Sequence, residues 1–169
     1  REDRWLCPSH PDNRRLEIEA MLEVATKYDV DGLHFDYIRY PNARACFCDG
    51  CRRRFEEALG SKVRNWPKDV REDPALAARW LDFRREQITR VVAEVSDRGR
   101  RAKPALRISA AVFRDWPDTR DERAQDWKLW CERGYLDFVC PMDYIESNSG
   151  FERFVRWQRE WAGAVPCYP

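Results

Sequence analysis

Two carboxylates that follow apolar stretches are the strongest candidates for chemistry in this sequence. Asp36 lies near the end of the stretch Asp29–Pro41, and Asp143 lies near the end of Leu136–Tyr144. If both stretches are parallel strands of a barrel, their ends meet at one rim, where catalytic groups of such barrels lie. Cleavage of an acetal needs one carboxylate beside the developing cation and a second acid that protonates the leaving oxygen. The sequence therefore predicts Asp36 and Asp143 as a catalytic pair.

Polar and aromatic side chains near these carboxylates are candidates for substrate contacts. Side chains alternate along a strand, so His34 should share a face with Asp36, while Leu33, Phe35 and Tyr37 share the other face. Aromatic faces stack on sugars, and arginine binds hydroxyl or acidic groups. The predicted substrate-binding residues are His34, Tyr37, Arg39, Tyr40, Trp116 and Tyr144. The alternatives are a hydrogen-bonded core role for His34 and ordinary packing for each of the others, with Asp115 and Asp118 as reserve carboxylates.

A cysteine cluster is the most specific local pattern. Cys46, Cys48 and Cys51 form a C-x-C-x-x-C motif. Thiolates this close in sequence cannot easily all pair as disulfides, but they readily converge on one tetrahedral ion. Cys7 should follow the preceding strand at the same rim, and it is the predicted fourth ligand. The prediction is a structural zinc ion, with disulfides in an exported protein, free thiols and an iron–sulfur cluster as alternatives.

Strand-like and helix-like patterns alternate along the chain. Three apolar runs predict strands, and partial strands are expected at Trp5–Leu6 and from Ala164 to Tyr168; amphipathic patterns predict helices between them, and Trp66 falls in a predicted polar linker. Strands that alternate with helices indicate a parallel sheet with right-handed crossovers. The predicted fold class is α/β, a partial (β/α)8 TIM barrel comprising roughly strands three to seven. Residues 1–169 are expected to form a single fragment of that domain.

Composition limits the classes of partner. The 169 residues are 43% hydrophobic, and 31 Lys and Arg against 30 Asp and Glu leave a net charge of +1. No global field recruits nucleic acid or an anionic membrane, and arginine runs such as Arg52–Arg54 are expected on solvated helix faces. No run approaches about 18 apolar residues, so no membrane span or export signal is predicted. Localisation and oligomeric state stay open, and export of a bacterial parent protein is one outcome.

Several of these segments together resemble the bacterial glycosyl-hydrolase-like family 10 domain. The matching pieces are WLCPSHPDNR at 5–14, YDVDGLHFDYIRYP at 28–41, FRREQITRVV at 83–92, ISAAVF at 108–113, QDW at 125–127 and DFVCPMDY at 137–144. The resemblance implies a barrel related to TIM-barrel glycosidases, a polysaccharide substrate and Asp36 as the leading catalytic carboxylate.

The cysteine spacing is separately similar to the zinc cluster of family 42 β-galactosidases. In that family a C-x-C-x-x-C loop after the fourth barrel strand is completed by an upstream cysteine, a position that Cys7 matches in kind. Those enzymes have a glutamate at the end of the fourth strand where this chain has Asp36. The similarity therefore extends to the metal site and not to the mechanism.

Three functions follow from the residues and the resemblance. The leading one is a glycoside hydrolase-like domain that acts on a poly- or oligosaccharide through rim carboxylates. The first alternative is a barrel that binds carbohydrate without cleaving it. The second is a zinc-stabilised nucleic-acid-binding module, suggested by the arginines beside the cysteine motif; the near-zero net charge argues against it.

Overall fold

Helices alternate with short parallel strands along most of the chain. The computed structural model describes residues 5–169. In that range the elements are α1 (Pro11–Lys27), β1 (Gly32–Phe35), α2 (Asp49–Leu59), α3 (Asp69–Glu72), α4 (Pro74–Ala102), β2 (Arg107–Phe113), α5 (Trp116–Glu122), α6 (Trp127–Glu132), β3 (Phe138–Met142) and α7 (Asn148–Ala162). None of these helices combines the length and apolar character that a membrane span requires.

The strands form one parallel sheet in the order β1-β2-β3. Phe35 pairs with Ala110, and Ala110 pairs with Val139, which fixes the register of all three strands. A further parallel bridge joins Val139 to Cys167, at the place where the last partial strand is predicted. The partial strand predicted at Trp5–Leu6 is not formed, because residues 5–10 contain neither helix nor strand. The three complete strands lie within the stretches predicted as strands, and β1 is much shorter than its stretch.

The two faces of the sheet differ in burial. Leu33 and Phe35 of β1 are buried, whereas His34 between them is exposed. In β2 and β3 the covered face is continued by the buried residues Ile108, Ala110, Val112 and Val139. The uncovered face is the one that points into the barrel in a TIM fold. His34 therefore lies on the inner face, as the alternation predicts.

One long helix, α4, contributes buried residues to two hydrophobic cores. Asp73 is the N-cap of α4, and its carboxylate accepts hydrogen bonds from the amides of Ala75 and Leu76 at 2.9 and 3.0 Å. Such a cap satisfies amides that lack a partner in the first helical turn. Further along α4, Val92 and Val95 are completely buried in the main core with α1 and the sheet. The same helix thus anchors the first strand and carries a second core at its other end.

The second core is aromatic and holds the cysteine motif. It consists mainly of Phe47, Phe55, Trp66, Trp80 and Phe83, with Cys51 at its edge. Trp80 lies at its centre, with its ring centroid 5.1 to 5.4 Å from those of its four aromatic neighbours. Trp66 lies in the connection between α2 and α3, as predicted, but it is partly buried rather than solvent-exposed. Its indole packs here, and its Nε1 donates to the carbonyl of Phe47 at 3.0 Å.

Candidate active site and metal centre

Asp36 stands directly after the last residue of β1, at the carboxyl end of the parallel sheet. Its Oδ1 accepts a hydrogen bond from the amide of Tyr37 at 2.8 Å, and its side chain is exposed. Tyr37 adopts a positive φ of 55°, so the chain turns sharply here. The expectation that Tyr37 shares the buried face of Leu33 and Phe35 is wrong for this reason, since its ring lies mostly in solvent.

A groove of about 790 Å³ runs beside β1 and contains Asp36. Its floor is apolar and formed by Met21, Ile88 and Val91 of the helices. The residues around its opening include Trp5, Cys7, His34, Tyr37 and Arg39. A concave surface that combines an apolar floor with a few polar groups is typical of ligand sites.

Arg39 lies at the opening of the groove among three rings, of which those of Trp5 and Tyr37 also line the groove. The guanidinium of Arg39 lies 4.8 to 5.1 Å from the ring centroids of Trp5, Tyr37 and Phe113. The rings of Trp5 and Tyr37 are themselves 5.9 Å apart. Burial lowers the pKa of Arg39, and the nearby Asp36 acts in the opposite direction. Since arginine stays protonated even so, it places a fixed positive charge beside Asp36.

His34 is held across the sheet. Its Nδ1 lies 2.7 Å from the hydroxyl oxygen of Ser109, the residue that pairs with it on β2. This contact orients the imidazole on the inner face below Asp36. Because His34 is exposed, the core-histidine alternative does not fit this structure, whereas the contact with Ser109 is one that a positioning role requires.

Asp143 lies just beyond β3, two strands away from Asp36. Neighbouring strands are about 4.8 Å apart, so the two backbones are separated laterally by roughly 10 Å. Asp143 Oδ1 accepts a hydrogen bond from Nε2 of the fully buried Gln158 at 2.7 Å. Its other oxygen is buried and has no hydrogen-bond partner within residues 5–169. Burial raises the pKa of Asp143, while the hydrogen bond from Gln158 and the charge of Arg114 partly oppose the rise.

Two of the residues predicted to contact substrate pack against other side chains of the protein. Tyr40 is completely buried, and the guanidinium of Arg84 lies 4.5 Å from its ring. Trp116 donates from Nε1 to Asp126 at 2.7 Å and packs against Trp161. Tyr40 therefore has no surface for a sugar in this structure, and its predicted role does not fit its burial. Trp116 is the first residue of α5, whereas Tyr40 lies in the loop after β1 and is buried by contacts with distant segments.

The remaining candidates lie at the same end of the sheet. The ring of Tyr144 is 82% exposed, which leaves both faces open. The reserve carboxylate Asp115 caps α5, since its side chain accepts from the amide of Asp118. That contact gives Asp115 a structural role as a helix cap. Its position in the sequence alone does not distinguish such a cap from a catalytic carboxylate.

The four predicted metal ligands converge. The sulfurs of Cys7, Cys46, Cys48 and Cys51 all lie within 4.8 Å of one another. Cys7 Sγ is 3.3 Å from Cys51 Sγ and 3.9 Å from Cys48 Sγ. Tetrahedral coordination at a zinc–sulfur distance of about 2.3 Å places sulfurs about 3.8 Å apart, so the donor set fits a metal ion. The seven cysteines all lie within residues 5–169, and the structure joins none of them by a disulfide.

The surroundings of the cluster favour a negative charge on Cys7 and oppose one on Cys46 and Cys51. Cys48 is the N-cap of α2, and its sulfur accepts from the amide of Cys51 at 3.4 Å. A helix N-terminus stabilises thiolates. Hydrogen bonds with Cys46 and then Cys51 lower the pKa of Cys7, whereas the hydrogen bonds of Cys51 with Cys46 and then Cys7 raise the pKa of Cys51. A thiolate at one position thus opposes ionisation at the next, and a cation removes this conflict.

The family model for glycosyl hydrolase-like 10 matches residues 1–165 of the chain. The chain belongs to this family. The glycosyl hydrolase-like 10 chain is 35% identical over 122 residues to an S-layer-related protein of Niallia circulans, covering 64% of this chain and 8% of that protein. It is 26% identical over 178 residues to glycosyl hydrolase DigH of Escherichia coli (strain K12), covering 96% of this chain and 37% of that protein.

Solved structures with a similar fold are β-galactosidases. That of Bacillus circulans sp. alkalophilus superposes with a TM-score of 0.59 at 14% identity, over 93% of this chain and 27% of that one. That of Rahnella sp. R3 gives 0.57 at 19% identity, over 83% and 24%. The glycosyl hydrolase-like 10 chain therefore has the fold of part of a TIM-barrel glycosidase. It spans well under half the length of these relatives.

Several residues at these sites were not predicted from the glycosyl hydrolase-like 10 sequence. Ser9 and Arg54 contact the cysteine sulfurs, and Gln158 holds Asp143. Arg54 contacts the sulfur of Cys7 and the hydroxyl of Ser9, which lie 47 and 45 residues away in sequence, so its position on α2 does not predict these contacts. Ser9 and Gln158 act over 42 and 15 residues of sequence, so no spacing identifies them.

Proposed function

We propose that the chain forms part of a glycoside hydrolase that acts on a poly- or oligosaccharide, with Asp36 as nucleophile or stabilising carboxylate. The observation that carries this proposal is the position of Asp36 in the groove, directly after a parallel strand at the carboxyl end of the sheet. In TIM barrels this end carries the catalytic groups. Membership of a glycosyl hydrolase-like family supports the same reaction class.

Asp143 is the proposed acid and base. A carboxyl group whose pKa is raised by burial holds its proton to higher pH, as a general acid must. The lateral distance of about 10 Å between the two strands leaves space for a sugar ring between the carboxyl groups. Trp5, Tyr37 and Arg39 are the proposed sugar contacts, with His34 as a positioning residue for Asp36 and Tyr144 at the far side.

We infer that residues 1–169 form one part of a (β/α)8 domain, comprising roughly strands three to seven. The uncovered inner face of the sheet supports this inference, since the remaining strands of a barrel cover such a face. The similarity to about a quarter of each β-galactosidase supports it as well.

The test of the catalytic role is Asp36→Asn in the full-length protein, assayed for release of reducing sugar from bacterial polysaccharides. Loss of a catalytic carboxylate should lower kcat by at least about 10²-fold. Asp31→Asn is the matched control, because Asp31 is exposed at the opposite end of the same strand. Unchanged hydrolysis by the Asp36 variant would remove this residue from catalysis.

A carbohydrate-binding barrel without hydrolysis is the second candidate. The exposed rings of Trp5 and Tyr37 beside the groove favour it, because such rings stack on sugars in either case. Glycan binding by the parent protein without any product release would support it. The nucleic-acid alternative loses much of its basis, since Arg52 and Arg54 turn inward to Glu56 and Ser9.

The ion proposed for the cysteine cluster is zinc in a structural role. Four thiolates complete a tetrahedral shell and leave no position for a reacting water. We expect one zinc per chain in the parent and none in Cys48→Ser, with Cys140→Ser on the inner face of β3 as the control that retains the metal. Chelation should speed amide exchange in residues 39–51 before the main core opens. Equal metal content in both variants would contradict this ligand set.

A further inference from the structure

Two side chains other than cysteine contact the sulfurs of the cluster directly. The hydroxyl oxygen of Ser9 lies 3.1 Å from Cys51 Sγ and 3.3 Å from Cys7 Sγ, and Ser9 is completely buried. Arg54 donates from Nε and Nη2 to that hydroxyl oxygen at 3.1 and 2.9 Å. Its Nη2 also lies 3.8 Å from Cys7 Sγ. Arg54, Ser9 and the two sulfurs therefore form one continuous hydrogen-bonded chain.

In this hydrogen-bond network only one assignment of donors and acceptors is possible: Arg54 donates to Ser9, and Ser9 donates to sulfur. A serine hydroxyl has one hydrogen and two lone pairs, and a guanidinium has donors but no acceptor. The two N–H groups of Arg54 both meet the oxygen of Ser9 and occupy its lone pairs. The hydroxyl hydrogen is thereby left for the sulfurs, which must accept it. The Ser9 hydroxyl and the Arg54 guanidinium thus donate to sulfurs that act as acceptors, as the thiolates of a metal site do.

The charge of the cluster explains why such donors are needed. Four thiolates around a divalent cation carry a net charge of −2, and a partly buried charge without compensation is costly. The guanidinium of Arg54 is permanently positive, so it halves that charge at close range. Hydrogen bonds to ligand atoms also fix their orientation around the ion.

We propose that Arg54 and Ser9 are positioning residues that compensate the charge of a four-thiolate site for a soft divalent cation. This rests on the metal centre described under the proposed function and adds residues that the cysteine motif does not contain. The other arginines of the run do not take part. Arg52 pairs with Glu56, and Arg53 is exposed on the same helix.

The test is Zn²⁺ affinity of the whole chain, measured by competition with a chromophoric chelator. Arg54→Gln should weaken binding by about 10- to 100-fold, the usual effect of losing a partner of a metal ligand. Ser9→Ala should weaken it as well, and Arg53→Gln should leave it unchanged. Because Arg54 acts through Ser9, the double variant should lose less than the sum of the two single effects in free energy.

Two further measurements separate this role from general destabilisation. Cd²⁺-loaded Arg54→Gln should retain the sulfur-to-metal absorption of the parent, which shows that all four thiolates still bind. Arg54→Lys, which keeps the charge without the two-pronged donor, should recover part of the affinity. If Arg54→Gln fails to fold, Ser9→Ala decides, since it removes one oxygen atom only.

The outcomes distinguish the two proposals. Affinity of Arg54→Gln within twofold of Arg53→Gln, or additive losses in the double variant, would overturn the role of Arg54 and Ser9 and leave the zinc site standing. A parent chain that takes up no Zn²⁺ would overturn both. Neither result bears on Asp36, which is tested by hydrolysis.

Discussion

At the scale of single residues, the carboxyl group of Asp143 is under opposing influences. Burial raises its pKa, and one of its oxygens has no hydrogen-bond partner within residues 5–169. A folded-state pKa above the ordinary value means that the ionised group opposes folding, so this cost appears as the pH rises through the ordinary value of 3.8 and persists above the raised pKa. A destabilising ionisable group of this kind is characteristic of functional sites.

The corresponding prediction is that Asp143→Asn is more stable than the parent at pH 7 although it loses hydrolysis. The gain should shrink as the pH falls through the raised pKa towards the ordinary value of 3.8, and it should be absent below that value, where the carboxyl is protonated in the folded and the unfolded parent. Urea unfolding at pH 7 and pH 3.5 measures it, with Asp29→Asn, an exposed neighbour of β1, as the control. A stability loss at pH 7 would show that the hydrogen bond from Gln158 outweighs the burial of the charge.

Glu56 shows the opposite behaviour. Its carboxylate accepts from Lys62 at 2.9 Å, from Arg52 at 2.9 Å and from the amide of Val63 at 3.1 Å. These partners, Lys62 foremost, lower the pKa of Glu56 to about 2. The stabilisation is thus fully present above the ordinary value of 4.5 and is lost as the pH falls towards 2.

Glu56→Gln should therefore lower Tm by a few degrees at pH 7 and have a much smaller effect near pH 2.5. Glu57→Gln on the exposed side of α2 is the matched control and should be neutral at both pH values. Calorimetry at several pH values measures the difference. A pH-independent loss in Glu56→Gln would show that packing rather than charge accounts for its effect.

At the scale of elements, the structure divides α4 between two cores. Its first turns carry Trp80 in the aromatic cluster beside the cysteine motif, and its later turns pack on the sheet. Trp80→Ala should cost about 3–5 kcal/mol, since it removes the ring that joins the other four. Trp157→Ala, on the partly exposed face of α7, should cost about 1 kcal/mol.

The location of the damage is the more informative result. Hydrogen exchange in Trp80→Ala should rise in residues 46–70 while the sheet stays protected, because α4 is the only helix within residues 5–169 that contributes buried residues to both cores. Uniform loss of protection across both cores would show that they unfold as one unit.

At the scale of the whole molecule, the parallel sheet has a central strand and two less protected sides. β2 pairs with both neighbours, whereas β1 pairs only with β2 within residues 5–169. About half of the amides of an edge strand in a parallel sheet lack a strand partner. Amide exchange should therefore be slowest in 108–112 and faster in 32–35. Equal protection of both strands would mean that another segment covers the edge of β1.

From the sequence alone, the alternation of strands and helices, the inner position of His34 and the convergence of four cysteines were predictable. Each depends on a period or a spacing within a few residues, or on the rule that successive parallel strands end at one rim. The location of Asp36 at the end of β1 follows in the same way. The four-residue length of β1 could not be predicted, because the turn at Tyr37 ends the strand earlier than the apolar pattern suggests.

The tertiary structure alone determined the partners of these groups. Ser9 meets Arg54 across 45 residues of sequence, and Arg84 covers Tyr40 across a similar distance. The packing of the partly buried Trp66 against an aromatic core and the hydrogen bond from Gln158 to Asp143 are further examples. Whether a polar or aromatic side chain serves a ligand or the protein itself depends on what packs around it. That packing is set by contacts between distant segments, which leave no periodic trace in either segment.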